Sequence, residues 1–122
     1  MATVLLIDDD DSVRTILGQT LKFLGHSVIE ARNGVEGLKQ FAKSGADLVI
    51  TDLMMPEKEG LEVLMELRRT HPDLKVIAMS GGGRQGVGDN LRMAKYLGAT
   101  KVLAKPASLE EFKAAILEVL GK

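Results

Sequence analysis

Cysteine is absent from the 122 residues. The chain therefore has no disulfide framework, no thiolate metal site and no thiol nucleophile. Aromatic residues make up only 3%, too few to offer the stacking platforms on which single-stranded nucleic acid is bound. Charge of one sign is missing as well: the net charge is −1 and the sequence pI ≈ 6.1, so there is no electrostatic footprint for nucleic acid. No apolar run approaches the ~18–20 residues that a membrane helix needs. The start, Met1-Ala2-Thr3, lacks a basic segment followed by a long apolar one, which argues against a secretory signal. These absences leave a soluble, cytoplasmic protein as the expectation. The length suits one domain, 1–122, with a single core.

What is present is organised around Leu48-Val49-Ile50-Thr51-Asp52-Leu53-Met54-Met55-Pro56. The apolar start reads as a strand covered on both faces. Pro56 has no N–H to give to a central ladder, so the strand has ended by then. Asp52 stands at its carboxyl end, the edge at which open α/β sheets bind ligands. Around it, apolar strands alternate with helical patterns. Val4–Ile7, Ser27–Ala31, Asp47–Asp52, Lys75–Ser80 and Lys101–Ala104 read as strands. The first helix has Val13, Ile16, Leu17, Leu21 and Leu24 on one face and stops at Gly25. The second is opened by an Asn33/Glu36 capping box and closed by Gly45. The third follows Gly60, with Leu61, Leu64, Met65 and Leu67 at helical spacing, and ends near His71-Pro72. A fourth, capped by Asp89, would turn Leu91, Ala94 and Leu97 inward, and a fifth follows the capping box Ser108–Glu111, lined by Leu109, Phe112, Ala115, Ile116 and Val119. Five strand–helix units predict an α/β fold, a doubly wound five-stranded parallel sheet with five helices on its two faces.

In such a sheet all carboxyl ends share one edge. Strand one ends in Asp8 and Asp9, strand three in Asp52, strand four in Ser80 and strand five in Lys105. Three converging carboxylates repel one another unless a cation neutralises them. Oxygen donors without His or Cys favour a hard ion, and Mg²⁺ is the abundant candidate. Lys105 could hold a phosphate oxygen and the Ser80 hydroxyl could donate to another. Together these are the parts needed to form and stabilise an acyl phosphate on an aspartate.

The ordered set Ile7-Asp8-Asp9, Ile50–Pro56 with Gly60, Met79-Ser80-Gly81 and Ala104-Lys105-Pro106 resembles the receiver domain of two-component response regulators, over essentially the whole chain. The resemblance implies a flavodoxin-like sheet in the order 2-1-3-4-5, the order of the chemotaxis receiver protein. It implies a phosphoprotein of a signal-transducing phosphorelay, a phosphoacceptor rather than an enzyme. Asp52 would accept a phosphoryl group from the phosphohistidine of a sensor histidine kinase or phosphotransfer protein. Asp8, Asp9, Asp52 and the backbone carbonyl of Met54 would hold Mg²⁺, with Ser80 and Lys105 on the phosphoryl group and a cis Lys105-Pro106 bond. A downstream protein target would be engaged through about Asp89–Leu120, with no nucleic acid or membrane bound by the domain itself. Two positions depart from the family. Val102 stands where relatives often carry an aromatic switch residue, and valine has no ring to swing. Ala107 follows the Lys-Pro pair where a large apolar residue is common. The loop Gly81-Gly82-Gly83-Arg84-Gln85-Gly86-Val87-Gly88 is unusually glycine-rich, which points to loop reordering as another switch.

Other readings compete. Asp8-Asp9-Asp10-Asp11-Ser12 also fits the Asp-x-Asp nucleophile motif of haloacid-dehalogenase-like phosphohydrolases, although that reading leaves Asp52 without a role. A third is an interaction module that signals without phosphorylation. Asp10 and Asp11 read as helix-capping acids. The glycine loop lacks the Lys-Ser or Lys-Thr of a P-loop, and His26 and His71 fall near the opposite end of the sheet.

Overall fold

The computed structural model describes residues 2–53, 59–81, 95, 98–105 and 108–121. Five parallel strands lie in the order β2-β1-β3-β4-β5. They are β1 (Thr3–Ile7), β2 (Ser27–Ala31), β3 (Leu48–Asp52), β4 (Lys75–Gly81) and β5 (Lys101–Lys105). Four helices are described: α1 (Asp11–Phe23), α2 (Gly34–Ser44), α3 (Glu59–Thr70) and α4 (Leu109–Leu120). The expected helix from Asp89, with Leu91, Ala94 and Leu97, lies outside the described residues.

The strands between the edges are apolar because both of their faces are covered. Every residue of Val4–Ile7 and of Leu48–Asp52 is buried. On one face Leu5, Ile7, Val49, Val76 and Ala78 pack against Phe41 of α2 and Val63, Leu64 and Leu67 of α3. On the other, Val4, Leu6, Leu48, Ile50, Ile77 and Met79 meet Leu21 of α1 and Phe112, Ala115, Ile116 and Val119 of α4. The helix α2 approaches β1 so closely at Gly37 that a Cβ there would stand 2.4 Å from Ile7 Cδ1. That contact fixes the last strand residue before Asp8.

Helix ends follow the sequence with small shifts. Ser108 and Glu111 form the full capping box, at 3.0 and 2.9 Å. At α2, Asn33 accepts from the Glu36 N–H at 2.8 Å, but the Glu36 carboxylate takes the N–H of Arg32 instead of that of Asn33. Gly45 ends α2 in the left-handed region, φ 60. The strand β3 starts one residue later than expected and α3 starts at Glu59, ahead of Gly60.

Three apolar residues of the helical patterns read from the sequence are exposed. Ile16 is 51% exposed, Met65 53% and Leu109 44%. In α1 the stripe is Val13, Leu17, Leu21 and Leu24, and Ile16 lies about a quarter-turn from its centre. In α3, Val63 takes the inward place with Leu64 and Leu67, which turns Met65 away. Leu109 opens α4 beside Ile16 and Phe23 of α1 in a shallow groove. The Leu61 side chain lies outside what is described.

Candidate functional site

The register of the sheet brings the acids together. Ile7 pairs with Thr51, so Asp8 and Asp52 leave the sheet side by side on the next rung. Both continue the side of their strands that carries Leu6 and Ile50. Asp8 is 0% and Asp52 3% exposed, whereas Asp9, on the turn after β1, is exposed. One carboxylate oxygen from each of Asp8, Asp9 and Asp52 lies within 4.8 Å of the others. The set is all oxygen, with no imidazole or thiolate, and a hard cation such as Mg²⁺ suits it. Two buried carboxylates and an exposed third, this close, form an arrangement whose mutual repulsion a divalent cation relieves.

The turn between β1 and α1 is built from the same run of acids. Asp8 Oδ1 accepts the Asp10 N–H at 2.9 Å. The Asp10 carboxylate caps α1, accepting from the N–H groups of Ser12 at 2.9 Å and Val13 at 3.2 Å. With its side chain engaged on the helix, Asp10 does not serve as the second acid of an Asp-x-Asp nucleophile motif. Asp11 in the first turn pairs with Arg14. The capping role expected of these two acids is seen for Asp10, while Asp11 stands in the first turn with its side chain on Arg14.

Arg14 is a residue that sequence reasoning passed over. It is only 8% exposed. Its Nη1 donates to the Asp8 carbonyl at 2.7 Å, its Nε to Glu30 at 3.2 Å, and its Nη2 to Asp11. Burial works against its charge, but the hydrogen bonds and charges of Asp11 and Glu30 outweigh burial and hold its pKa above the ordinary arginine value. An arginine on an amphipathic helix reads as a solvated charge. The available signal was a facing acid, Glu30, on the neighbouring strand.

Ser80 and Lys105 are placed by backbone register. Asp52 pairs with Met79, so Ser80 sits one rung beyond it on β4, and Lys105 ends β5 opposite Gly81. Both therefore lie at the carboxyl edge with the acids. Met54, the Lys105-Pro106 bond, Ala107, most of the glycine-rich loop and the start of the Asp89–Leu120 surface lie outside the described residues. Val102 pairs with Ala78 and packs half-buried against the α2/α3 core. His26 and His71 are at the amino end of the sheet as expected, His26 accepting the Ala2 N–H and His71 edge-on to Phe41.

Comparison with known proteins decides between the readings. The sequence matches the response regulator receiver domain over residues 4–117. The chain belongs to that family. Receiver domains are phosphoacceptor signalling domains, and the match spans the strands that carry Asp8, Asp9 and Asp52. Among relatives, the sensor kinase CckA of Brucella abortus is 40% identical over 123 residues, which cover 99% of this chain and 13% of CckA. The response regulator MprA of Mycobacterium leprae is 38% identical over 119 residues, 98% of this chain and 51% of MprA. A response regulator receiver domain protein from Clostridium thermocellum superposes with a TM-score of 0.90 at 31% identity, covering 99% of this chain and 95% of that one. The chain thus spans about half the length of MprA and a small part of CckA. The fold expected from the sequence, with its 2-1-3-4-5 sheet, is the receiver fold. Among the described residues, no helix is long and apolar enough to cross a membrane.

Proposed function

We propose that residues 1–122 act as one receiver domain in which Asp52 is the phosphoacceptor. The supporting observation is the junction of Asp8, Asp9 and Asp52 at the carboxyl ends of β1 and β3. An Asp52 oxygen attacks the phosphorus of a phosphohistidine; the P–O bond forms as the N–P bond breaks, and the imidazole nitrogen keeps the electron pair. Asp8, Asp9, Asp52 and the Met54 carbonyl hold Mg²⁺, which when bound neutralises charge on the phosphoryl oxygens. Lys105 and Ser80, at the ends of β5 and β4, contact the phosphoryl group. The chain has no turnover chemistry beyond making and losing this acyl phosphate.

The phosphodonor is a sensor histidine kinase or a phosphotransfer protein in the cytoplasm, and the output is a protein target met through about Asp89–Leu120. With Val102 packed on the core, output does not run through an aromatic ring on β5, and reordering of the glycine-rich loop takes that role. The test is intact mass after incubation with Mg²⁺ and a small acyl-phosphate or phosphoramidate donor. One added phosphoryl group is expected in the parent, absent without Mg²⁺ and absent in Asp52→Asn. No adduct, together with no response to beryllofluoride, would refute the phosphoacceptor role and favour a phosphorylation-independent interaction module.

A further inference from the structure

Asp9 lies one residue further from the sheet than Asp8, whose N–H still donates to the Ala31 carbonyl of β2. It follows β1 on an exposed turn, and a carboxylate there is free to wander unless the peptide groups on either side of it are fixed. Both are fixed. The 9–10 peptide is held by the Asp10 N–H, which donates to Asp8 Oδ1 at 2.9 Å. The 8–9 peptide is held by the Asp8 carbonyl, which accepts from Arg14 Nη1 at 2.7 Å in a buried contact. Asp8 itself is pinned to the sheet, its N–H donating to the Ala31 carbonyl at 3.1 Å. The guanidinium that completes this frame is anchored on two further sides, by Glu30 of β2 at 3.2 Å and by Asp11 of α1. One side chain thus joins β1, β2 and the first turn of α1 at the point where Asp9 departs.

Charge accounts for the pairing of Arg14 with Asp11 and Glu30 but not for its bond to the Asp8 carbonyl. A guanidinium next to a site for a divalent cation opposes that cation, and a buried charge is costly unless well paired. Geometry gives the reason. A planar fork reaches three acceptors in fixed directions, which an ammonium on a flexible stem does not. We infer that Arg14 is the positioning residue of the metal site: its fork fixes the 8–9 peptide and so presents the Asp9 carboxylate, beside Asp8 and Asp52, to a divalent cation. This rests on reading the three acids as a Mg²⁺ site.

Calorimetric titration of the full chain with Mg²⁺ tests it, with the amide resonances of Asp9 and Asp10 followed in parallel. Arg14→Lys keeps the charge and loses the fork; Mg²⁺ binding about 10-fold weaker is expected, the scale typical for groups that orient a metal's ligands. Arg14→Gln removes the charge. A cation acting through charge alone would then leave binding tighter, whereas a positioning residue leaves it weaker. Unchanged binding in folded Arg14→Lys, or tighter binding in folded Arg14→Gln, overturns the inference.

If neither variant folds, Glu30→Ala decides, because Glu30 lies on the edge strand and holds the far side of the guanidinium. Binding weaker than in the parent, by less than the about 10-fold of Arg14→Lys, is expected. The change should persist at about 1 M salt, where the Debye length of about 3 Å removes the effect of the lost charge. No change, or a change that vanishes in salt, overturns the inference. A parent chain that binds no Mg²⁺ refutes the metal site itself, whereas a parent that binds while the variants match it refutes only the role of Arg14.

Discussion

The strand β3 is bracketed by two aspartates, and the difference between them is the difference between the two edges of the sheet. Asp47, before the strand, accepts the Thr3 N–H at 2.9 Å and donates its own N–H to the Thr3 carbonyl at 2.8 Å. Its neighbourhood is similarly matched. Ser27 donates to Ala2, Thr100 exchanges hydrogen bonds with Val76, and Arg68 reaches the carbonyls of Gly98 and Pro72. A cleft of about 680 Å³ opens at this end between α2 and α3, lined largely by apolar side chains such as Leu38, Phe41 and Leu67. Asp52, the last residue of the strand, is buried with its carboxylate close to those of Asp8 and Asp9. The amino edge is closed by hydrogen bonds across the strand ends; the carboxyl edge gathers three carboxylates in an arrangement that suits a divalent cation. The same residue type closes the fold at one end and joins the proposed phosphoacceptor site at the other.

The strongest way to break this comparison is to ask which edge responds to Mg²⁺. Ligand that binds only the folded state adds about 2.7 kcal/mol at a hundredfold excess over its Kd, a rise of roughly 10 °C in Tm for a domain of this size. The parent should show that rise, Asp9→Ala should lose most of it, and Asp47→Ala should keep it. Thermal melts with Mg²⁺ and with EDTA measure it. A rise that survives Asp9→Ala would place the ion elsewhere.

The next effect concerns how the core holds the carboxyl edge. Gly37→Ala would push its methyl into Ile7, directly before Asp8, and overpacking of this kind costs about 1–3 kcal/mol. Part is returned by the better helix propensity of alanine, about 1 kcal/mol. A net loss of stability is expected in denaturant unfolding, together with weaker Mg²⁺ binding because β1 shifts beneath the acids. Unchanged stability would show that α2 can retreat without disturbing the site.

At the other edge, Asp47→Ala should lower stability by about 0.5–1 kcal/mol through the lost hydrogen bond to Thr3. It should leave both the Mg²⁺ titration and the phosphoryl adduct as in the parent. A change in either would join the two edges functionally.

How far the sequence alone led follows the same division. The strands were legible because burial on both faces leaves unbroken apolar runs, and the helix caps because Ser108, Asn33 and the acids before α1 act on backbone within a few residues. The acid cluster was legible once a parallel sheet put the strand ends on one edge. Arg14 was not: its i,i+3 spacing to Asp11 reads only as a surface pair, and the Asp8 carbonyl and Glu30 that complete its frame come from other elements. Ile16, Met65 and Leu109 were misplaced for a related reason: a helical stripe has edges, and the width buried depends on the neighbouring elements.

Glu36 provides the smallest and most selective test, since it is a carboxylate at the carboxyl edge with no part in the chemistry. The Arg32 N–H, 2.7 Å from its Oε1, favours the charged form, and with the nearby arginines it holds the Glu36 pKa below the ordinary value despite some burial. A carboxyl whose pKa is lower folded than unfolded contributes stability that is complete above about pH 4.3. That contribution disappears as the pH falls through the folded-state value. The parent should therefore lose slightly more stability than Glu36→Gln on acidification, read as denaturant midpoints between about pH 6 and about pH 3. Phosphorylation near neutral pH should be equal in the two proteins. Parallel acid limbs would mean that the Arg32 contact carries no stability. Reduced phosphorylation would mean that position along the edge, and not the meeting of β1 with β3, makes a carboxylate functional in this fold.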